Sequence, residues 1–537
     1  MAGFHKIPAM RDFQTPTRSA VYAPTAMAAT SHPRATLAAI ETMKAGGNAM
    51  DAAICAAAAL AVIEPQMTGI GGDCFVLYAP AGKDVIAYNG SGAAVAAAET
   101  SWYLDQGLDE IPVMSPHAVT IPGAVEAWHR LNAGHGRKEF AELLRPAIAL
   151  AEDGFPVPPR VAYDWDRFEE KINRTEAGQR VFLRNGKPAK AGDVTRQPEL
   201  AATLRIIAEQ GPKGFYEGPV AEDMVATLQR LGGLHVMEDF AGHAGIFVEP
   251  ISTNYRGYDI HECPPNGQGF VALIMLNICE GFDVSEMSPL DATRLHLQAE
   301  AGRLAYRDRD AFLGDSEPKT MSLETLLSKE YAAGQRALIS PDRAMATLPD
   351  PALRASSDTV YLSVVDCDGN AVSFINSLFN GFGTGIMSDA TGVMLHNRGA
   401  LFKIDENHPA RIEPGRRPPH TIMPGIATKD GRTVMSFGVM GGHYQPFGHT
   451  HLLGNVIDFG LDVQQALELP RVFHYDDVLS VETGIPDETA DQLRAMGHDV
   501  ETAPVAFGGG QAIWIDHERG ILIGGSDPRK DGCALGY

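Results

Sequence analysis

Cysteine is scarce in this chain, and its few positions are scattered. The six cysteines among 537 residues form no Cys-x-x-Cys pair, so a disulfide framework is not indicated and reduced thiols are the simpler interpretation. Long apolar runs are missing too. The longest, residues 52–63, is too short to span a bilayer, and its alanines suit a helix packed inside a protein. We therefore predict no membrane partner.

Positive charge is also in short supply. The 44 Lys and Arg residues against 67 Asp and Glu residues leave a net charge of -23. Such an acidic chain repels phosphate backbones, which argues against nucleic acid as a partner. Residues 1–22 mix charged side chains with proline and lack the apolar stretch of a signal peptide, so a cytoplasmic location is expected.

Blocks of helix-like and strand-like sequence fill the chain, which is long enough for a large core. Residues 34–63 predict two helices separated by a glycine pair, and residues 74–88 predict two strands. From about 115 to 340 the pattern is mostly helical, interrupted by a strand pair within 245–265.

The last third of the chain is rich in strands again. Strands are predicted at 359–366, 371–376, 392–396, 432–438, 470–474, 478–482, 511–516 and 521–524, and helices at 447–460, 462–468 and 487–497. Strands at both ends of the chain, with helices between them, predict a layered α+β fold to which both ends contribute. Residues 341–358, rich in proline and alanine, predict an exposed linker of the kind that is open to processing.

The most informative segment begins where this linker ends. Thr359 opens an alternating strand that turns at residues 368–370 and returns as a second strand. A threonine in such a run is ordinarily a half-buried strand residue. A cut before Thr359, however, would place a hydroxyl and a free amine on one residue, which together supply a nucleophile and its base.

Two later segments have the composition of a binding site. Gly441 and Gly442 follow an apolar strand, where glycines let backbone N–H groups approach a ligand closely, as an oxyanion hole requires. An ordinary tight turn is the alternative. The stiff loop 416–424 carries two arginines, His420 and Thr421 among its prolines; it would suit an anionic substrate, unless it is a plain surface loop.

Three histidines raise the alternative of a metallohydrolase. His443, His449 and His451 lie close together in the sequence, but no carboxylate completes a familiar metal-binding spacing. We therefore predict neither a metal nor a cofactor.

Taken in order, these segments resemble the γ-glutamyltranspeptidase family of N-terminal-nucleophile (Ntn) hydrolases. The likeness spans nearly the whole chain and rests on a specific set of motifs. They are Ala-Gly-Gly-Asn-Ala-Met-Asp-Ala-Ala (45–53), Thr-Gly-Ile-Gly-Gly-Asp (68–73), Ser-Val-Val-Asp-x-Asp-Gly-Asn-Ala-Val (363–372), Phe-Gly-Thr-Gly-Ile (382–386), Met-Gly-Gly (440–442) and Ser-Asp-Pro-Arg-Lys-Asp-Gly-Cys-Ala-Leu-Gly-Tyr (526–537).

The resemblance implies a proenzyme that cuts itself between Asp358 and Thr359. The products would be a large piece, 1–358, and a small piece, 359–537, that stay together in an αββα sandwich with a largely helical middle region. A homo-oligomer of such pairs is left open.

The resemblance also implies the chemistry. Thr359 would attack the carbonyl of a small amide with its own α-amine as general base, and the acyl group would pass to water or to an amine. Ser377 would support the nucleophile, in a position where the family has a threonine. The backbone N–H groups of Gly441 and Gly442 would form the oxyanion hole.

The chain departs from the family where the substrate is recognised. The family grips the α-carboxylate of a γ-glutamyl group with an arginine after the second early strand, but residues 88–92 contain none and offer Asn89 instead. The family holds the α-amino group with an asparagine, a glutamine and an aspartate. Those positions are Phe379, Arg398 and Leu401 here.

These replacements bear on the substrate. Acceptors for an ammonium group are exchanged for a cation and two apolar side chains, against which a buried ammonium would cost several kcal/mol. We therefore expect an acyl donor without a free α-amino group and treat Arg398 as a candidate carboxylate clamp. An Arg398 that points outward is the alternative. His420 and Thr421 replace a pair of serines of the family and are further substrate-binding candidates.

The sequence leaves two classes of function as hypotheses. The leading one is an autoprocessed Ntn amidohydrolase similar to γ-glutamyltransferases and glutathione hydrolases. Within it, a cephalosporin-type acylase or an amidohydrolase of small anionic amides such as oxamate is the alternative. From a different class, the chain could be an unprocessed binding protein without catalysis.

Overall fold

A computed structural model describes residues 14, 17–315, 321–346 and 358–537 of the protein. Two seven-stranded sheets face each other, and helices cover the outer face of each. This is the αββα sandwich predicted above. Because each sheet contains strands from both sides of residue 358, both parts of the chain are needed to build it.

The first sheet, here called the nucleophile sheet, is antiparallel throughout. Its strands, in spatial order, are Cys533–Gly536, Met27–Thr30, Asp358–Val365, Ala371–Phe379, Asp73–Ala79, Ile86–Gly90 and Ile246–Val248. The hairpin that begins at Asp358 therefore lies at the centre of the sheet, where neighbours on both sides satisfy its backbone.

The second sheet, here called the glycine-loop sheet, is also antiparallel. Its strands, in spatial order, are Val21–Ala23, Ile521–Ser526, Gly509–Asp516, Arg432–Met440, Gly425–Lys429, Tyr258–Glu262 and Ile251–Tyr255. The apolar layer between the two sheets includes Phe75, Tyr361, Ile375, Ile426 and Ile513, all buried.

Helices form the outer layers. The helices Pro33–Lys44, Ala49–Ile63, Ala124–His135 and Phe140–Asp153 belong to the nucleophile-sheet side, and Gly269–Cys279, Ala292–Phe312, Gln445–Ile457 and Val463–Glu468 belong to the other. Ala49–Ile63 is apolar all round and buried along its whole length, as its alanine content predicts. Its start is held by a capping box between Asn48 and Asp51.

The remaining elements form the helical middle region and a small third sheet. The helical middle region contains Thr100–Asp105, Pro159–Arg167, Glu169–Ile172, Glu176–Phe182, Pro198–Gln210, Lys213–Tyr216, Gly218–Arg230, Met237–Ala241, Leu323–Leu326 and Lys329–Arg336, with the strand pairs Phe155–Pro156/Val194–Thr195 and Leu183–Arg184/Lys187–Pro188. Val472–Tyr475, Val478–Val481 and Val500–Thr502 form a small sheet beside the helix Asp487–Ala495. None of the helices in the described part of the chain combines the length and apolarity needed to cross a bilayer.

One predicted strand is wrong. Residues 392–396 make backbone hydrogen bonds with 384–388, but only the pair Met387 and Met394 forms a bridge. The ladder cannot extend because the partner segment is bent by positive φ at Phe382, Gly383 and Gly385. Most of the predicted linker 341–358 lies outside the described residues.

Candidate active site

The predicted nucleophile lies opposite the predicted supporting serine. Strands Asp358–Val365 and Ala371–Phe379 pair in register except at their open end, where the register shifts between Asp358 and Val360. Because of this β-bulge, Thr359 faces Ser377 across the ladder, and their hydroxyl oxygens lie 3.1 Å apart. Thr359 is 1% exposed in the uncut chain.

Ser377 is held from two further directions. Its Oγ accepts the backbone N–H of Phe379 at 2.8 Å and an N–H of Arg398 at 3.2 Å. Phe379 itself has φ 77, a left-handed conformation that a bulky residue rarely adopts. The strand end is thus bent, so that the Phe379 N–H donates to Ser377 and the Phe379 ring packs against the Arg398 guanidinium.

Arg398 does not point outward. Its guanidinium is fully buried, 4.4 Å from the centre of the Phe379 ring, and donates to Ser377 and, at 2.8 Å, to the Thr421 hydroxyl. It forms no ion pair with a carboxylate among the described residues. Burial lowers the pKa of Arg398 to about 9, and the negative charge of Asp73 offsets part of that effect. At neutral pH this is a buried cation facing hydroxyl groups beside the nucleophile.

His420 contacts the carboxylate of Asp73, the last residue of the motif 68–73. Its Nε2–H donates to Asp73 at 3.0 Å, while its Nδ1 accepts the Ile422 N–H at 3.5 Å. Asp73 also accepts the N–H groups of Gly92 and Gly123, each at 3.2 Å. The Gly-Gly-Asp sequence before the strand was the available signal for this role.

Electrostatics keep the pair of His420 and Asp73 in one protonation state. Burial lowers the pKa of His420 to about 3, helped by Arg398. Burial opposes ionisation of Asp73, but His396, His420 and Arg398 outweigh it and hold its pKa at about 2. At neutral pH Asp73 is therefore an anion bound by a neutral His420, and Arg398 acts on it through its field without a direct ion pair.

We expect Asp73→Asn to lower the free energy of unfolding by about 2 kcal/mol at pH 6. Because the pKa of Asp73 is depressed from 3.8 to about 2, its contribution is present above about pH 4 and is lost as the pH falls through 2. The thermal midpoints of wild type and variant should therefore differ at pH 6 and converge towards pH 3. A difference that stays constant down to pH 3 would contradict the assigned charge.

Asn89 contacts protein groups. Its amide donates to Asn266 at 2.7 Å, and its oxygen accepts from the Ser91 N–H and hydroxyl. Asn266 in turn donates to the Pro418 carbonyl and accepts the His420 N–H through its own carbonyl. Asn89 thus supports the loop that carries His420.

The two predicted oxyanion glycines sit directly after strand Arg432–Met440. Gly441 has φ 125 and Gly442 φ 55, and a Cβ on Gly441 would lie 3.0 Å from the Cα of Gly508, so glycine is required there. Within the described residues, neither glycine donates its N–H to a protein acceptor. Both N–H groups are thus available to a ligand.

A cavity of about 740 Å³ reaches His443, the residue after Gly442, but its lining does not include Gly441, Gly442, Thr359, Ser377 or Arg398. Its walls include the site residues His420, Thr421 and His443, together with Gln268, Leu401, Arg307, Arg309, Lys403, Asp308 and Asp310. The volume suits a small organic substrate. Charges of both signs line it, and Thr421 connects it to Arg398.

The three histidines of the metal hypothesis have separate partners. His443 accepts from Arg309 at 2.9 Å, His449 pairs with Glu262 at 2.6 Å, and His451 lies 3.5 Å from Arg294. In the described part of the chain, one group of three potential ligands has its ligand atoms close together, and it lies elsewhere: His296, Glu300 and His498. There, His498 lies 2.7 Å from His296, and Arg303 already neutralises Glu300.

Comparison with known proteins identifies the family to which the chain belongs. The family model described as gamma-glutamyltranspeptidase matches residues 35–537. The chain belongs to the γ-glutamyltranspeptidase family. It is therefore an Ntn-type amidohydrolase or acyltransferase, made as a chain that is processed into two pieces and acting on small amides.

Individual members of the family differ in their named activities. The glutathione hydrolase-like YwrD proenzyme of Bacillus subtilis is 37% identical over 95% of this chain and 98% of its own length. The oxamate amidohydrolase proenzyme of Klebsiella pneumoniae is 34% identical over 95% of this chain and 98% of its own. A crystal structure of cephalosporin acylase from Bacillus halodurans superposes with a TM-score of 0.92, at 39% identity and 99% coverage of both chains.

Proposed function

We propose that this member of the family cuts itself before Thr359 and then hydrolyses an amide whose acyl group carries a carboxylate but no α-amino group. The observation that carries the substrate part is Arg398, a fully buried cation that forms an ion pair with no carboxylate of the described residues and donates to the hydroxyl beside the nucleophile. A substrate carboxylate would give its guanidinium a direct ionic partner.

Self-cleavage has support in the geometry of the uncut chain. Thr359 and Ser377 are each 1% exposed and already in contact, and the bulge at the strand end places Asp358 and Thr359 at a kink in the ladder. Cleavage between them would give the pieces 1–358 and 359–537. The new α-amine, with an ordinary pKa of about 7.7–8.0, would act as general base near neutral pH.

The catalytic cycle then uses residues already in place. The Thr359 hydroxyl attacks the amide carbon, its proton passes to the α-amine, and the Gly441 and Gly442 N–H groups stabilise the oxyanion. The amine leaves with that proton, and water attacks the acyl-threonine to regenerate the enzyme. Ser377 orients the nucleophile by hydrogen bonding, while Arg398 and Thr421 hold the acyl carboxylate.

A matched pair of substrates tests the acyl preference. Glutaryl p-nitroanilide and γ-glutamyl p-nitroanilide differ only by the α-amino group. We expect kcat/KM to be at least about 100-fold higher for the glutaryl compound, because an ammonium would be buried beside Arg398 and Phe379 instead of acceptors.

Other outcomes of this assay are equally informative. Equal or better turnover of the γ-glutamyl compound would overturn the proposed preference and favour the hypothesis of a glutathione hydrolase. Oxamate, a minimal anionic amide, serves as a third substrate; activity on oxamate alone would narrow the site to the smallest acyl groups.

A further inference from the structure

Gln268 joins two loops of the site, the loop 416–424 and the glycine loop at Gly441–Gly442, which lie at the two ends of one hairpin. It is fully buried and immediately precedes the helix Gly269–Cys279. Its side-chain amide donates to the carbonyl of Thr421 and to the carbonyl of Gly442, each at 2.9 Å. Its backbone N–H donates to the carbonyl of His420, also at 2.9 Å.

The orientation of this amide is determined by its neighbours. Both groups that face its nitrogen are backbone carbonyls, which only accept hydrogen bonds, so the NH₂ end must point towards them. The Gln268 oxygen, by contrast, has no donor within the described residues.

The loop that Gln268 holds has little stiffness of its own. It contains two consecutive glycines at positive φ, for which many backbone conformations have similar energy. Two more side chains hold its far end: the Tyr306 hydroxyl donates to the carbonyl of His443, and Arg309 donates to the His443 ring. The fixing groups all precede residue 358, whereas the loop follows it.

We propose that Gln268 is a positioning residue for the reaction, which sets the Gly441–Gly442 backbone relative to Thr421. It would fix the direction of the N–H groups that stabilise the oxyanion and their distance from the carboxylate-binding side of the site. The inference rests on the proposed role of Gly441 and Gly442. Oxyanion donors act through preorganisation. If the loop were free to rotate, kcat would fall, whereas binding of the substrate in its ground state would change little.

The test compares Gln268→Met with a matched control, Gln197→Met. Gln197 is also buried and precedes a helix, and it donates its amide to Val62 and its backbone N–H to Ala151, neither of which is a site residue. We expect Gln268→Met to lower kcat about 10- to 100-fold with KM changed less than threefold. Gln197→Met should leave kcat unchanged, and both variants should lose similar thermal stability.

A third variant and a second readout separate positioning from packing. Gln268→Glu keeps the shape but, even when protonated, can donate to only one of the two carbonyls, so its kcat should fall as well. Hydrogen exchange of the peptide spanning residues 440–444 should quicken in both Gln268 variants and not in Gln197→Met.

Unchanged exchange in that peptide, or a kcat loss matched by Gln197→Met, would overturn the inference. The exchange readout needs no turnover. If the wild type proved uncut and inactive, the proposed function would fail while the structural part of this inference could still be measured.

Discussion

Thr359→Ala is expected to lower kcat for the best amide substrate by at least about 10⁴-fold, the scale seen when a hydrolase loses its nucleophile. Alanine removes the only hydroxyl that would form the acyl-enzyme, and Ser377, 3.1 Å away, lies on the neighbouring strand without an α-amine of its own. The measurement is steady-state hydrolysis of glutaryl p-nitroanilide by purified protein.

Thr359→Ser provides the control for this prediction. It keeps the hydroxyl and the potential α-amine, so it should be processed and retain measurable turnover. If Thr359→Ala kept more than a few per cent of wild-type activity, the nucleophile would have to be another residue.

Arg398→Met should lower kcat/KM for glutaryl p-nitroanilide by about 10²- to 10³-fold, the cost of leaving a buried carboxylate without its partner. The same variant should have little effect on valeryl p-nitroanilide, which has the same chain length but no carboxylate. Arg398→Lys, which keeps the charge but not the planar fork, should be intermediate.

This pair of substrates distinguishes binding of the substrate carboxylate by Arg398 from support of the nucleophile by Arg398. Arg398 also donates to Ser377 and Thr421, so its loss could disturb the nucleophile itself. An equal loss on both anilides would show that Arg398 serves the nucleophile and would contradict its role as a carboxylate clamp.

Much of the fold could be predicted from local sequence. Helix Ala49–Ile63 follows from its capping residues and alanines, and hairpin Asp358–Phe379 follows from alternation around a tight turn. The strands Met27–Thr30 and Gly425–Lys429 were missed. They are four or five residues long, and pairing with distant strands stabilises them where their own propensity does not.

Candidate site residues could be named where a motif lay within one segment. Thr359 opens an alternating strand and the glycine pair follows an apolar one, whereas Ser377 and Arg398 were named through the family resemblance. Contacts between distant segments could not be predicted in this way. The hydrogen bond from His420 to Asp73 joins residues 347 apart in sequence, and Gln268 reaches Gly442 across 174 residues.

The most direct test of this account is the intact mass of the purified protein, measured beside Thr359→Ala. The chain of 57.5 kDa and 537 residues should appear in wild type as two pieces of about 38 and 19 kDa, the smaller beginning with Thr359, and as one chain in the variant. A wild-type protein that remains one chain would contradict the account, because Thr359 would then never free the amine on which the proposed catalysis depends.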